Sequence, residues 1–303
     1  MQRVNQTTKS TSPTTPNQAI EVTPFTCGLG AKVTGLDLST PLNPEQFARV
    51  YEAFLDHQLL LFRGQQLDES SQVAFGRWFG ELQIHVMNQY HSNQCPELYR
   101  LSNLDEDGNP NGKHPDKGTL AWHTDGSWKP VTGQATILYA EVVPPPGNGG
   151  ETHFCDMYRA MASLTQIHGD LTHLKAIHNL DFSRQRRHGE QPLTEAQKKQ
   201  IPPVSHPVVR VHPETGKHAL YLGDHAETIE GLPYDEGRAL VETLNAQAID
   251  GSRVYEHTWR PGDLMVWDNR CVQHRATPFD TQTQRRVIRR CTVLGERPRG
   301  PND

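Results

Sequence analysis

The period of the apolar positions changes along the chain and separates a helical front from a strand-rich remainder. Between Pro44 and Gln58, the residues Phe47, Val50, Tyr51, Phe54 and Leu55 recur at spacings of one, three and four, which lines one face of a helix. Leu59-Leu60-Leu61-Phe62 follows with no polar interruption and reads as a short buried strand. Residues 68–80 return to helical spacing. Beyond them the pattern predicts strands at Leu98–Leu101, Ala135–Val143, Thr152–Cys155, Pro207–Val211, Ala219–Leu222, Val254–Trp259, Leu264–Trp267 and Val287–Leu294. Short strands with turn-rich connections favour a sandwich or barrel over a parallel α/β sheet. Met157–Ala176 and Tyr234–Ala248 read as helices outside that β core, and the polar, charged stretch 181–205 reads as a long connection. Such a connection serves either as a lid or binding loop or as a plain solvated loop.

Residues 1–18 are rich in Thr, Ser, Asn, Gln and Pro, a composition that predicts a disordered tail. No repeat or linker divides residues 19–298, so they are expected to form one domain. With 303 residues, 35 % of them hydrophobic and 21 % charged, the chain can build a core. The net charge of −5 argues against a nucleic-acid partner. The five cysteines, Cys27, Cys95, Cys155, Cys271 and Cys291, include no C-x-x-C pair, which argues against a disulfide framework and a cysteine-held zinc and fits a reducing cytosol. No apolar run approaches a membrane span, and the N-terminus has no apolar segment of the secretory kind. The expectation is a cytoplasmic protein without membrane or nucleic-acid partners; a homo-oligomer is compatible with the sequence.

Histidine suggests where chemistry lies. A non-haem iron(II) oxygenase uses two histidines and one carboxylate on one face of the metal, and a His-x-Asp on a strand supplies two ligands on one side. With 16 histidines and 35 acidic residues, about two His-x-acid triplets are expected by chance. There are six: His114/Asp116, His123/Asp125, His168/Asp170, His188/Glu190, His212/Glu214 and His225/Glu227. Context separates them. His114 lies in a Gly/Lys/Pro loop, His168-Gly169-Asp170 interrupts a helix, His188 sits in the charged insert, and His212-Pro213-Glu214-Thr215-Gly216 reads as a hairpin turn. His225 follows a strand and competes. His123/Asp125 is flanked by Trp122 and Trp128 and leads into the strand Ala135–Val143, as a strand-borne site requires. Towards the C-terminus, Pro261-Gly262-Asp263 and Asp268-Asn269-Arg270 are turns around the buried strand Leu264–Trp267, and His274 lies on the strand after them. Arg286 and Arg290 then share a strand face with Ile288. Two guanidiniums on one face of a core strand are costly unless they meet an anion, and a carboxylate is the natural partner.

At this point the chain resembles a known family. Trp122-His123-Thr124-Asp125, Gly149-Gly150-Glu151-Thr152, Gly262-Asp263-Leu264-Met265-Val266-Trp267-Asp268-Asn269-Arg270, His274 and Arg285-Arg286-Val287-Ile288-Arg289-Arg290 occur in the order seen in the taurine dioxygenase and 2,4-dichlorophenoxyacetate dioxygenase family. The likeness runs from about residue 20 to residue 298. Phe154-Cys155-Asp156-Met157, Thr194-Glu195-Ala196-Gln197, Pro202-Pro203-Val204 and Glu230-Gly231-Leu232-Pro233 resemble the dichlorophenoxyacetate branch more closely. The resemblance implies a double-stranded β-helix, or jelly roll, with helices outside. It implies Fe(II) held by His123, Asp125 and His274, and 2-oxoglutarate held at its distal carboxylate by Thr152 and Arg286. Arg290 would face the cosubstrate or an anionic group of the substrate. The implied reaction uses O₂, releases succinate and CO₂, and hydroxylates a small organic acid. At a carbon bearing an ether oxygen, the resulting hemiacetal collapses and the ether is cleaved. Asn88 and Thr119 stand where taurine enzymes carry an aromatic residue and an asparagine, and Thr228 stands where the dichlorophenoxyacetate type carries a further histidine. The reaction class is therefore implied and the substrate is not named. Two other readings share the ligands: a zinc hydrolase of jelly-roll type, which needs neither Arg286 nor Thr152, and a non-catalytic jelly-roll binding protein.

Overall fold

The computed structural model describes residues 19–84, 92, 94–186 and 191–303. The tail 1–18, the loop positions His85 and Asn88, and the triplet His188/Glu190 lie outside these residues.

The front of the chain forms strands β1 (Glu21–Pro24) and β2 (Ala31–Thr34), helix α1 (Pro44–His57), strand β3 (Leu59–Phe62) and helix α2 (Glu69–Phe79). Helix α1 starts in a capping box: the Asn43 side chain accepts from the Gln46 backbone N–H, and the Gln46 side-chain oxygen accepts from the Asn43 backbone N–H. Pro44 at the first turn has no N–H to leave unpaired. Gln58, in the left-handed region at φ 66°, ends the helix and turns the chain directly into β3. Asp68 caps α2 through the Ser71 N–H at 2.7 Å.

The remaining strands close the jelly roll. They are β4 (Tyr99–Ser102), β5 (Gly133–Val142), β6 (Thr152–Asp156), β7 (Lys175–His178), β8 (Val204–Pro207), β9 (Val209–Val211), β10 (His218–Leu220), β11 (Ala226–Ile229), β12 (Val254–His257), β13 (Leu264–Asp268), β14 (Val272–Ala276) and β15 (Val287–Leu294). The large sheet runs β1-β2-β3-β13-β5-β15-β4, and the small sheets run β12-β6-β14, β11-β7-β8 and β10-β9. Alternation gives the large sheet two different faces. Leu138, Ala140, Met265, Trp267 and Ile288 point inward and pack with Phe154 and Val272 of the facing sheet. Ile137, Tyr139, Leu264, Val266 and Val293 point outward and are covered by Val50 and Phe54 of α1 and by Val73, Phe75 and Phe79 of α2. Phe54 and Phe79 meet edge to face at 5.2 Å, and each buried aromatic contributes roughly 1.5–3 kcal/mol by leaving water.

Several expected elements differ from those observed. The helix expected over 157–176 is α3, Met157–His168; Gly169 at φ +76° ends it, and Lys175 opens β7. The stretch 181–205, expected as a loop, contains α4 (Leu180–Arg186), α5 (Glu195–Gln200, with a Thr194/Gln197 capping box) and the start of β8. The strand expected at Pro207–Val211 splits into β8 and β9, which join different sheets. Helix α6 (Tyr234–Ala248) and β15 have the expected bounds.

Candidate active site

His123 and Asp125 are not on a strand. His123 makes a single-residue antiparallel bridge with His274, exchanging N–H···O bonds of 3.0 and 2.9 Å. Asp125 opens a turn, and Gly126 at φ +70° carries the chain away. The expectation of a strand-borne His-x-Asp is therefore corrected: one bridge replaces a strand, because the backbone must turn to bring Asp125 beside His274 on β14. Gly223, at φ +109°, backs this bridge, and a Cβ there would lie 3.2 Å from the Cα of His123.

The three side chains converge. His123 Nε2 lies 3.6 Å from Asp125 Oδ1, and His274 Nε2 lies 3.7 Å from Asp125 Oδ2. The three potential ligand atoms all fall within 4.8 Å of one another, and all three residues are buried. His123 Nδ1 bonds the Ala121 carbonyl at 2.8 Å, which fixes the tautomer that leaves the Nε2 lone pair facing the cluster. Burial opposes the charge of Asp125, yet Arg290, His274 and His123 hold its carboxyl well below the ordinary range. Two imidazoles and one carboxylate, ionised and close together, fit a divalent first-row metal such as Fe(II).

The other triplets do not build a second such site among the described residues. Asp116 caps a 3-10 turn through the Gly118 N–H. His168 bonds Gln247, and Asp170 accepts from Thr172. His225 stands beside the cluster, its ring 6.4 Å from that of His123, but Glu227 turns away to Asn179 at 2.8 Å. His212, Asp268 and Cys271 also cluster. There, Asp268 is occupied by Arg270 at 2.8 and 2.7 Å and by His212 at 3.0 Å, while His212 Nδ1 accepts from the backbone N–H groups of Glu214 and Thr215. With those lone pairs used, this is a buried ion network linking the β9–β10 hairpin to the β13–β14 turn.

Arg290, Arg286 and Thr152 are the residues expected to bind anions, and Arg290 touches the cluster directly. Arg290 Nη2 is 2.8 Å from Asp125 Oδ1, and its Nε bonds Thr292 Oγ1 at 3.2 Å. Arg290 lines a cleft with Gln83, Pro96, Glu97, Tyr99 and Asp116. Lys129, four residues after Asp125, brings a second positive charge; burial, then Arg290, pushes its amino group down. Arg286 lies one residue before β15, and β5 bulges opposite Val287 and Ile288, so simple strand alternation does not extend to it. Its guanidinium is buried and pushed down to about 10, first by burial, with Glu151 opposing. Arg286 Nε has no hydrogen-bond partner among the described residues. A Cβ on Gly150 would lie 3.5 Å from Arg286 Cδ, so the arginine stem packs on the chain two residues before Thr152. Thr152 Oγ1 accepts the indole N–H of Trp259 at 2.9 Å, which leaves the threonine proton for another acceptor. Trp259, Lys129, Thr136 and Asn269 were not among the expected site residues.

A jelly roll that brings two imidazoles and a carboxylate together defines a non-haem iron oxygenase scaffold. Residues 21–292 match the family described as taurine catabolism dioxygenase TauD, TfdA family. The chain is 38% identical over 282 residues to an alpha-ketoglutarate-dependent 2,4-dichlorophenoxyacetate dioxygenase of Burkholderia sp. (strain RASC), covering 89% of this chain and 94% of that protein. It is 32% identical to an (S)-phenoxypropionate/alpha-ketoglutarate-dioxygenase of Sphingobium herbicidovorans, covering 92% and 96%. The crystal structure of AAD-2 in complex with Mn(II) and N-oxalylglycine superposes with a TM-score of 0.82 at 33% identity, covering 92% of this chain and 98% of that one. The chain belongs to the TauD, TfdA family of 2-oxoglutarate-dependent dioxygenases, which use Fe(II), 2-oxoglutarate and O₂. No helix among the described residues is long and apolar enough to cross a membrane.

Proposed function

We propose that this dioxygenase holds Fe(II) with His123, Asp125 and His274 and oxidises a small organic acid of the aryloxyalkanoate type. The observation that carries the metal assignment is the convergence of three buried, oriented donors within 4.8 Å. Bound there, Fe(II) couples the oxidative decarboxylation of 2-oxoglutarate by O₂ to oxidation of a substrate C–H bond, giving succinate and CO₂. The protein's share is to bind, orient and exclude. Arg286 offers a desolvated guanidinium, and Thr152 a hydroxyl proton, to the distal carboxylate of 2-oxoglutarate. A carboxylate is a natural partner for a buried guanidinium whose Nε finds no acceptor among the described residues. Arg290, which lines the cleft and is partly exposed, receives the anionic end of the substrate, and Lys129 adds to the positive field.

The substrate class is supported by the names of the relatives above, which act on 2,4-dichlorophenoxyacetate and phenoxypropionate. A zinc hydrolase is not favoured because it would not need Arg286 and Thr152, and the intact set of His123, Asp125 and His274 argues against a non-catalytic binding protein. Five free cysteines support a cytoplasmic setting for one domain spanning residues 19–298, and the charge of −5 supports a partner that is not a nucleic acid.

The test is bound metal, measured together with CO₂ release from 2-oxoglutarate. His123→Ala, Asp125→Ala and His274→Ala should each lose tight metal binding and turnover, whereas His225→Ala should retain metal. Retained metal in His123→Ala with loss in His225→Ala would move the site to the other triplet. Aryloxy acids should stimulate succinate production above the rate without substrate; stimulation only by unrelated acids would overturn the substrate class.

A further inference from the structure

The turn Asp268-Asn269-Arg270 supplies no proposed ligand, yet it reaches the site. Trp267 Nε1 donates to Asn269 Oδ1 at 3.0 Å, Asn269 Nδ2 to Thr136 Oγ1 at 2.9 Å, and Thr136 Oγ1 to Asp125 Oδ2 at 2.6 Å. All four residues are buried, Thr136 and Asn269 at 0% exposure. The direction of this chain follows from chemistry. An indole N–H only donates, so it takes the amide oxygen of Asn269 and leaves the NH₂ facing Thr136. The threonine oxygen accepts that bond, so its single proton is directed to Asp125. Backbone register holds the parts in place: Trp267 pairs with Thr136 across β13 and β5, and the Asn269 N–H bonds the Gln134 carbonyl at 2.8 Å.

The geometry points to Thr136 and Asn269 as positioning residues that fix the rotation of the Asp125 carboxylate, and with it the metal's oxygen ligand. This inference rests on the assignment of Asp125 to the metal. The two oxygens of Asp125 have different anchors: Oδ2 takes the Thr136 hydroxyl, and Oδ1 takes Arg290. Arg290 sits on a cleft and is partly exposed, at 21% of its side chain, and on the proposed reading it also meets substrate. Thr136 has no solvent and no ligand to turn to, so it is the anchor that remains when Arg290 engages an anion. Partners of this kind, outside the ligands themselves, hold ligand orientation and typically change metal affinity by about 10–100-fold when removed.

The test uses Co(II) as the probe, titrated into the metal-free full-length protein and followed by its visible absorption. Thr136→Val keeps the shape of the side chain and removes the hydroxyl. It should weaken Co(II) binding by about tenfold or more and alter the spectrum at saturation, because a carboxylate free to rotate changes the coordination geometry. Thr136→Ser should restore both affinity and spectrum. Asn269→Ala should fall between the two, since the hydroxyl survives but loses the donor that directs it. Wild-type affinity and spectrum in Thr136→Val, with Co(II) lost in Asp125→Ala, would overturn the relay and leave the metal site standing. So would a loss of affinity that only tracks the fraction of unfolded protein, with an unchanged spectrum at saturation. Wild-type Co(II) binding in Asp125→Ala would instead overturn the metal assignment, and the relay with it.

Discussion

The guanidinium of Arg290 reaches the carboxylate of Asp125, Nη2 to Oδ1, at 2.8 Å. One arginine thus touches the proposed metal ligand and also lines a cleft with Gln83, Glu97 and Tyr99. Arg290→Gln keeps a donor for Asp125 Oδ1 but cannot neutralise a substrate anion. A charge-assisted hydrogen bond of about 1.5–3 kcal/mol is lost, so the substrate KM should rise about tenfold or more. The variant should still decarboxylate 2-oxoglutarate slowly without substrate, and should prefer a neutral amide analogue relative to wild type. Equal loss of the substrate-free and substrate-stimulated rates would assign Arg290 to the cosubstrate instead.

Arg286 is buried and its Nε has no hydrogen-bond partner among the described residues. Arg286→Ala should raise the KM for 2-oxoglutarate by about tenfold or more while metal stays bound. Thr152→Val loses one neutral hydrogen bond, about 0.5–1.5 kcal/mol, and should move the same constant by less. Steady-state kinetics at varied 2-oxoglutarate, with bound metal measured in parallel, decides both. An unchanged KM in Arg286→Ala would remove the arginine from the cosubstrate site.

Much of the fold was legible because the central strands are apolar runs between turns. Leu264–Trp267 lies between Pro261-Gly262-Asp263 and Asp268-Asn269-Arg270, and β13 is found there. The β7–β8 pair was hidden because its buried positions include His178 and His206, which a hydropathy pattern scores as polar. The apolar spacing that predicts a helix over 157–176 continues through Leu171 and Leu174, although Gly169 stops the backbone. The proposed ligands His123, Asp125 and His274 stand out by sequence context and family likeness, and the structure brings the three together. Thr136 and Asn269 do not stand out, because their hydrogen bond joins positions 133 residues apart and depends on the β5–β13 register.

Gly149 shows how tightly the chain before Thr152 is held. Its φ is +79°, and a Cβ would lie 2.2 Å from the Pro278 carbonyl oxygen. Gly149→Ala combines a left-handed backbone, roughly 1–3 kcal/mol for a residue with a side chain, with a clash against backbone that has to shift. The variant should melt several degrees below wild type. It should also bind 2-oxoglutarate more weakly, because the displaced segment carries Gly150 and Thr152. Wild-type melting would show that the loop yields without cost.

The buried histidines of the small sheet couple stability to acid. His178 and His206 meet edge to face at 5.2 Å, with Tyr221 packed against both. Burial, reinforced by the neighbouring His206, pushes His178 down to about 3. Burial pushes His206 down to about 4, with its bond to the Lys129 carbonyl opposing and Arg210 adding to the shift. An unfolded chain protonates these rings near pH 6.5. Below that value the unfolded state therefore binds more protons than the folded state, and stability must rise with pH. The stability they provide is complete above about pH 6.5 and drains as pH falls towards 4, by at most roughly 1.4 kcal/mol per pH unit for each ring. His178→Phe keeps an aromatic ring against Tyr221 and removes one titrating group. Its melting temperature should fall less than that of wild type between pH 6.5 and 4.5. Thermal melts of the two proteins across that range, both metal-free, measure the difference, and parallel curves would show that His178 does not carry the acid sensitivity.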